Sequence, residues 1–447
     1  MSRPDKTRSG RIQKIREELR GRRLVWFGTR GTDADSIGHL PELSHVFSLI
    51  CPPERADHVE QYCVEREKHV RVDLNRYSLE EDGSIEVRIL RERMLSVLTK
   101  PSVLIAYRPN QFVDSVVFPR SQQATYWGLF HLLQMQFEHK PWVESSLHSN
   151  GVRVLPWRYY GDDELQALQD AVREGLCPHV LRVSRSTGGA GIQVIAIPSD
   201  LANKWPAHPD GFLSIAPFLH PNVSVSINGC VYADGDTVLF GPSVQLVGLR
   251  ICTHRQLAYC GSDFGAVRNL DTAVLGQIED ATQRVGRWLG RNRYCGAFGV
   301  DFVIHDEKVY FAEVNPRFLA SSPLVAIAAE KMEISDVYIE HMAALAGLAP
   351  IRHPPLAELA KQQPALSQVI CYNRGSVPLR RSPGVLTAPE GIRVSEIPPP
   401  DVAVEPEGEL FKCVVEGSIT LDGHGLVEDV EEPIESLIRQ WIHGSTP

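Results

Sequence analysis

Four residues in the stretch GVDFVIHDEKVYFAEVNPRF could do chemistry together: Asp301, Glu313, Asn315 and Arg317. Side chains alternate along a strand, so Glu313 and Asn315 share one face. An antiparallel hairpin turning through Asp306, Glu307 and Lys308 sets Asp301 opposite Glu313. A two-residue turn at 306–307 would instead set it opposite Ala312, on the other face. With a three- or five-residue loop, two carboxylates and an amide converge. Like charges opposed across a sheet repel, and burying Glu313 without a partner costs about 1–3 kcal/mol or more. Such a set calls for a cation, and all-oxygen ligands select Mg2+ or Mn2+ over zinc. Pro316 then directs Arg317 just beyond the metal, where a guanidinium stabilises developing negative charge. The plain alternative is a surface hairpin with solvated acids.

A second stretch, LRVSRSTGGAGIQVI (181–195), carries Gly188, Gly189 and Gly191 between two apolar runs. A glycine-rich hairpin offers backbone N–H groups to phosphate oxygens with no Cβ in the way. It lacks the GK[ST] ending of a P-loop and no helix follows it. Taken alone it reads equally as an ordinary loop; beside the carboxylate hairpin it reads as a phosphate cradle.

These motifs resemble the ATP-grasp superfamily of carboxylate–amine (or thiol) ligases over about residues 138–350. The resemblance implies ATP and Mg2+ (or Mn2+) as cofactors, with Asp301, Glu313 and Asn315 on the metal and Arg317 as the catalytic arginine. Lys140, eleven residues before Gly151 in HKPWVESSLHSNGVRVLP, matches the first ATP-binding lysine. Arg182 stands where the family has its second lysine; it keeps the charge but not the compact ammonium, and is carried over as both an ATP-binding and a catalytic residue. Ser186, Thr187 and the three glycines would cradle phosphates. The adenine hinge matches IAPFLH, with Ala216, Pro217, Phe218 and Leu219; the usual acidic residues are absent, which leaves backbone contacts for adenine. Val303 would lie under the ring. A narrower resemblance, to the pheganomycin-type peptide ligases and their butirosin-type relative that loads an amino acid onto a carrier protein, implies an amino-acid donor joined to a peptide's N-terminal amine in natural-product biosynthesis. The rival readings are a carrier-protein thiol as acceptor and a nucleotide-binding protein without turnover.

Arg250 and Arg255, in GLRICTHRQ, are candidates to grip the donor carboxylate or are solvated strand-end arginines. Ser321 and Ser322 either line the donor site or cap a helix.

The elements that must position these residues fall into three parts, an α/β and α+β multidomain chain. Residues 1–135 alternate short apolar strands (RLVWFG, HVFSLICP, SVLIAY) with helical patterns, as an open α/β domain preceding the ATP-grasp fold. GTRG (28–31) reads as a phosphate-binding turn or, better, a plain tight turn. Residues 136–353 form the ATP-grasp domain, with expected pairs HVLRVSR with IQVIAIP, LSIAPFLH with VSVSINGCVYA, and GVDFVIH with KVYFAEV. Residues 365–447 form a small β-containing C-terminal domain ending in the helix PIESLIRQWIH. The net charge of −9 argues against general nucleic-acid binding. Nine Lys or Arg against three acids in residues 1–23 read as a solvated helix with Ile12, Ile15 and Leu19 on one face, or as an arm for an acidic partner. Neither a secretory signal nor a membrane span is expected. Nine scattered cysteines without a CxxC pair point to reduced thiols and the cytoplasm; Cys295 has no base nearby and reads as structural. A homodimer is compatible with this organisation.

Overall fold

A computed structural model describes all residues except 1–6, 52–57, 162, 176–177, 187, 190, 205–210, 382–385, 444 and 447. The first region builds a five-stranded parallel sheet in the order Glu60–Cys63, Leu43–Ile50, Arg23–Arg30, Ser102–Ala106 and Ala124–Trp127. Its strands read as continuous apolar runs because both faces are covered: Trp26 and Val103 enter one core and Val25 and Leu104 the other. The central strand runs past the expected turn at Gly28 to Arg30, and a 3-10 helix, Gly31–Ile37, follows. Gly28 is extended rather than turning; a Cβ there would lie 2.5 Å from the Trp26 indole nitrogen.

The basic N-terminal helix, Arg8–Leu19, is docked rather than solvated. Ile15 and Leu19 are buried with Arg11, whose guanidinium donates to both Glu340 oxygens at 3.1 and 3.0 Å and to the Tyr232 hydroxyl at 2.6 Å. Charge counting along the chain missed this because the acid lies on a helix more than three hundred residues away.

The middle of the chain divides between two antiparallel sheets. The smaller has the order Arg158–Gly161, Phe212–Pro217, His179–Val183, Ile192–Ile195. The larger has nine strands and includes Lys308–Asn315, Gly296–His305, Val223–Val231, Ser243–Val247 and Tyr259–Asp263 in that order. The expected pairing of LSIAPFLH with VSVSINGCVYA does not occur: Phe212–Pro217 joins the smaller sheet and Val223–Val231 the larger. The chain crosses between sheets there, and the cleft between them opens at that crossing. Two strands separated by only five residues look like a hairpin in sequence; only their partners decide otherwise.

The large sheet continues through Leu366–Tyr372, Glu409–Glu416 and Ile392–Ser395. The C-terminal segment therefore extends the same sheet rather than standing apart. Its strand Ala403–Val404 also pairs in parallel with Val70–Arg71 of the first region. Cys51 and Cys63 are joined by a disulfide, contrary to the expectation of reduced thiols throughout. They lie at the C-terminal ends of two neighbouring parallel strands, Leu43–Ile50 and Glu60–Cys63, a proximity that scattered spacing does not show. Six other cysteines are free, and Cys177 lies outside the described residues. Among the described residues, no helix is long and apolar enough to cross a membrane.

Candidate active site

The carboxylate hairpin reaches its register by a route that loop counting did not foresee. His305 pairs with Lys308 across a two-residue turn, Asp306-Glu307, both with positive φ, as hairpins of this length prefer. That register alone would set Asp301 opposite Ala312. A bulge between Phe302 and Asp301 absorbs one residue, so Phe302 faces Phe311 while Asp301 faces Glu313. Ala312 and Glu313 both border the cleft. The three-residue loop was the wrong device, and the convergence it was meant to explain is present.

Asp301 is a half-buried carboxylate facing a second one. Burial first, and then the facing Glu313 carboxylate, push it up to about 7. Its oxygens accept from the Gln245 amide at 2.9 Å and the Asn315 amide at 3.2 Å. Arg317 donates to the Asn315 side-chain oxygen at 2.8 Å and to the Phe318 carbonyl at 3.0 Å. Phe318 is itself held on both sides, stacked on Tyr338 with ring centres 4.6 Å apart and packed against Trp26 of the parallel sheet at 5.6 Å. The parallel sheet thus helps to fix the backbone that carries Arg317.

Across the cleft, the helix Lys140–Ser149 presents Lys140 and, one turn on, Glu144. The Lys140 ammonium lies 3.1 Å from the Glu313 carboxylate and 3.2 Å from the Ser186 carbonyl. Arg182 comes from the middle strand of the small sheet, buried against Glu144 as an ion pair. Its guanidinium is stacked 3.6 Å from the centre of the Trp157 ring and donates to the Ala312 carbonyl at 3.3 Å. Arg108 of the first domain is held by Glu138, at 2.8 and 3.1 Å.

Asp301, Glu313, Asn315 and Arg317 on one side and Lys140, Arg182 and Arg108 on the other line one cavity of about 340 Å³, within the range of small-ligand sites, with Glu138 and Glu144 behind its wall. Ser186, Gly188, Gly189, Pro217, Phe218, Leu219, Val303 and Ser321 line it as well. Gly188 and Gly189 have φ of +58° and +77°, and a Cβ at Gly189 would fall 2.3 Å from the Leu257 carbonyl oxygen; only glycine lets this loop lie so close. Gly191, also at positive φ, packs on Val183. Thr187 lies outside the described residues. Ala216 is buried in the strand before the hinge. Ser322 is fully buried, donating to the Asn228 amide oxygen at 2.7 Å. Arg250 is exposed and does not border the cavity. Arg255 stands one layer behind the wall, 2.8 Å from a Glu407 oxygen and 5.5 Å from the centre of the Tyr372 ring.

Sequence reasoning passed over Glu144, Trp157, Gln245, Tyr107 and His424. Glu144 carried a usable signal, standing four residues after Lys140 on one helix face. The others have none, since their neighbours in the site are distant in sequence.

Residues 224–321 match the family model of the ATP-grasp domain, a span holding Asp301, Glu313, Asn315 and Arg317. The chain carries an ATP-grasp domain. Formate-dependent phosphoribosylglycinamide formyltransferase of Aliivibrio fischeri is 27% identical over 229 residues, 50% of this chain and 53% of that protein. The enzyme of the same name from Shewanella frigidimarina is 23% identical over 342 residues, 71% of this chain and 80% of that protein. The match to the first of these curated relatives thus spans about half of its length. Among solved structures, biotin carboxylase of Campylobacter jejuni superposes with a TM-score of 0.63 at 14% identity, covering 89% of this chain and 87% of that one. Carboxyaminoimidazole ribonucleotide synthase of Aspergillus clavatus, complexed with ATP, gives 0.60 at 13% identity, covering 95% and 99%. At such identities the likeness is one of fold.

The ATP-grasp cleft fits ATP and Mg2+ on its own chemistry. Two facing carboxylates and an amide supply hard oxygen donors, and Asp301, pushed up by burial and then by Glu313, gains from a cation. Among the described residues no three His, Cys, Asp or Glu side chains cluster as a metal site; a cation held by Asp301 and Glu313 would need further oxygen ligands, as Mg2+ bound with nucleotide phosphates does.

Proposed function

We propose that this protein is an ATP-dependent ligase that activates a carboxylate as an acyl phosphate and passes the acyl group to an amine. The observation that carries this reading is the facing pair Asp301–Glu313, with Asn315 and Arg317 beside it and Lys140 and Arg182 across one cavity. Lys140, Arg182 and the 186–191 loop hold the phosphates of ATP. Asp301, Glu313 and Asn315 would hold Mg2+ or Mn2+, and the cation would supply charge neutralisation for phosphoryl transfer. A donor carboxylate oxygen bonds to the γ-phosphorus, and the bond to ADP breaks. The acceptor amine then bonds to the acyl carbon, the carbon–oxygen bond to phosphate breaks, and the amine proton leaves with the departing phosphate. Arg317 stabilises the oxyanion of the tetrahedral intermediate, and the glycine loop keeps water from the acyl phosphate.

The donor we propose is an amino acid and the acceptor the N-terminal amine of a peptide, as in peptide natural-product assembly. Two things support this: the resemblance to pheganomycin-type ligases, and the cavity wall beyond Arg317. That wall combines Tyr107, Tyr259 and Tyr372 with the Arg30–Glu409 ion pair, and so offers both signs of charge to a zwitterion. Ser321 borders this end, and Arg255, behind Tyr372, positions that ring. A second reading, formate as donor, is favoured by the formate dependence in the name of the curated relatives. A homodimer in the cytoplasm completes the proposal.

The test is ADP and phosphate release from Mg-ATP with a panel of amino acids and formate, using hydroxylamine to trap the activated acyl group. Amino-acid-dependent ADP with a hydroxamate product is expected. Formate-dependent turnover alone would favour the second reading, and AMP with pyrophosphate would overturn both.

A further inference from the structure

The adenine end of the cavity is walled by a small apolar cluster: Leu155, Val180 and Ala216, with Ile192, Phe218 and Leu219 packed against it. The hinge offers no carboxylate for a sugar. Three polar side chains border the cavity beside it: Asn222, Ser224 and His424. Asn222 is tied to the hinge, its amide donating to the Leu219 carbonyl at 2.6 Å, and Ser224 pairs across the sheet with Val303. His424 comes from the C-terminal segment.

The loop that carries His424 is built onto the nucleotide sheet. The Val247 N–H donates to the Gly423 carbonyl at 2.9 Å. Gly423 has φ of +91°, and a Cβ there would meet the Gln245 carbonyl oxygen at 2.2 Å, so glycine alone permits this approach. The Thr420 hydroxyl closes the loop, donating to the Gly425 carbonyl at 2.6 Å and accepting from the Gly423 N–H at 2.9 Å. The buried Asp263 carboxylate anchors its base, accepting from the Ile419 and Thr420 N–H groups at 2.6 and 3.2 Å. The His424 Nε2 lies 3.1 Å from the Asn222 backbone carbonyl. A carbonyl only accepts, so this contact puts the ring proton on Nε2 and leaves Nδ1 as an acceptor. The Asn222 side-chain oxygen lies 3.3 Å from the same Nε2 and keeps its other lone pair as a second acceptor at this rim.

We propose that the C-terminal loop 420–425 is part of the nucleotide site, and that His424 with Asn222 binds the vicinal diol of the ribose in place of a hinge carboxylate. Two acceptors meet the two hydroxyl donors of a ribonucleoside. This inference rests on the reading of the cavity as an ATP site. It also makes the C-terminal segment a selector of ribonucleotides, since a deoxy sugar leaves one or both acceptors unanswered.

The experiment is calorimetric titration of the full chain with Mg-ATP and with Mg-2′,3′-dideoxy-ATP, for wild type, His424→Ala and His424→Gln, without turnover. We expect wild type to bind ATP about tenfold or more tighter than the dideoxy analogue. His424→Ala should remove most of that difference by weakening ATP alone, and His424→Gln, which keeps an acceptor, should restore part of it. Equal binding of both nucleotides by wild type, or equal weakening of both by His424→Ala, would overturn the assignment while leaving the ATP site standing. Failure of wild type to bind either nucleotide would sink the ATP reading itself, and this inference with it.

Discussion

Lys140 is poised to act in opposite directions on the two ligands of the site. Its ammonium lies 3.1 Å from Glu313, where a divalent cation would need that carboxylate. At this distance the Coulomb attraction is about 5 kcal/mol at an effective dielectric of about 20. The Glu313 side chain is 28% exposed and that of Lys140 9%, so screening and desolvation reduce the net coupling to about 1–2 kcal/mol. Lys140→Met keeps the length and apolar stem of the side chain but frees Glu313. Divalent cation binding without nucleotide should then tighten about 5- to 30-fold, the equivalent of that coupling. ATP loses a charge-assisted contact in the same variant and should bind about 10- to 150-fold more weakly, for a loss of about 1.5–3 kcal/mol. Mn2+ titration followed by electron paramagnetic resonance reads the first quantity, and calorimetry with ATP the second. A variant whose Mn2+ affinity is unchanged or falls together with its ATP affinity would refute the idea that Lys140 and the metal compete for Glu313.

Arg317→Ala should lower kcat about 10²- to 10³-fold with ATP affinity nearly unchanged, as expected for an oxyanion contact; wild-type turnover in this variant would remove the proposed role. Arg11→Ala leaves the fully buried Glu340 without its cation, and urea unfolding should show a loss of about 3–5 kcal/mol; a loss below about 1 kcal/mol would mean the pair is solvated. His341 is fully buried and held down to about 4 by desolvation, with its ring between the Ala297 N–H and the Trp127 carbonyl. Its folded value lies below the unfolded one, so its contribution is intact above about pH 6.5 and is lost as pH falls toward 4, by about 3 kcal/mol at about 1.4 kcal/mol per unit. The stability difference between wild type and His341→Asn should therefore shift by about that amount between pH 7 and 4.5; a difference independent of pH would show that His341 takes up its proton in the folded state.

The hairpin holding Asp301, Glu313, Asn315 and Arg317 was legible because its members lie within seventeen positions of one another, where strand alternation and turn length restrict geometry. Even so, the turn is two residues and a bulge restores the register. Bulges leave no mark in composition, since any residue beside a strand can be the extra one. Lys140 and Glu144 share a helix face and were in principle readable together. Gln245, Trp157 and His424 were not.

The sequence by itself determined the alternation of apolar strands and helices in the first region, and the local chemistry of the carboxylate hairpin and the glycine loop. Tertiary structure alone decided that the hinge strand and its successor belong to different sheets, that the C-terminal strands extend the nucleotide sheet, and that Phe318 is clamped by Trp26 and Tyr338. The division follows from range. Backbone geometry transmits order across a turn or a hairpin, whereas which strand lies beside which is settled by burial and pairing among segments hundreds of residues apart.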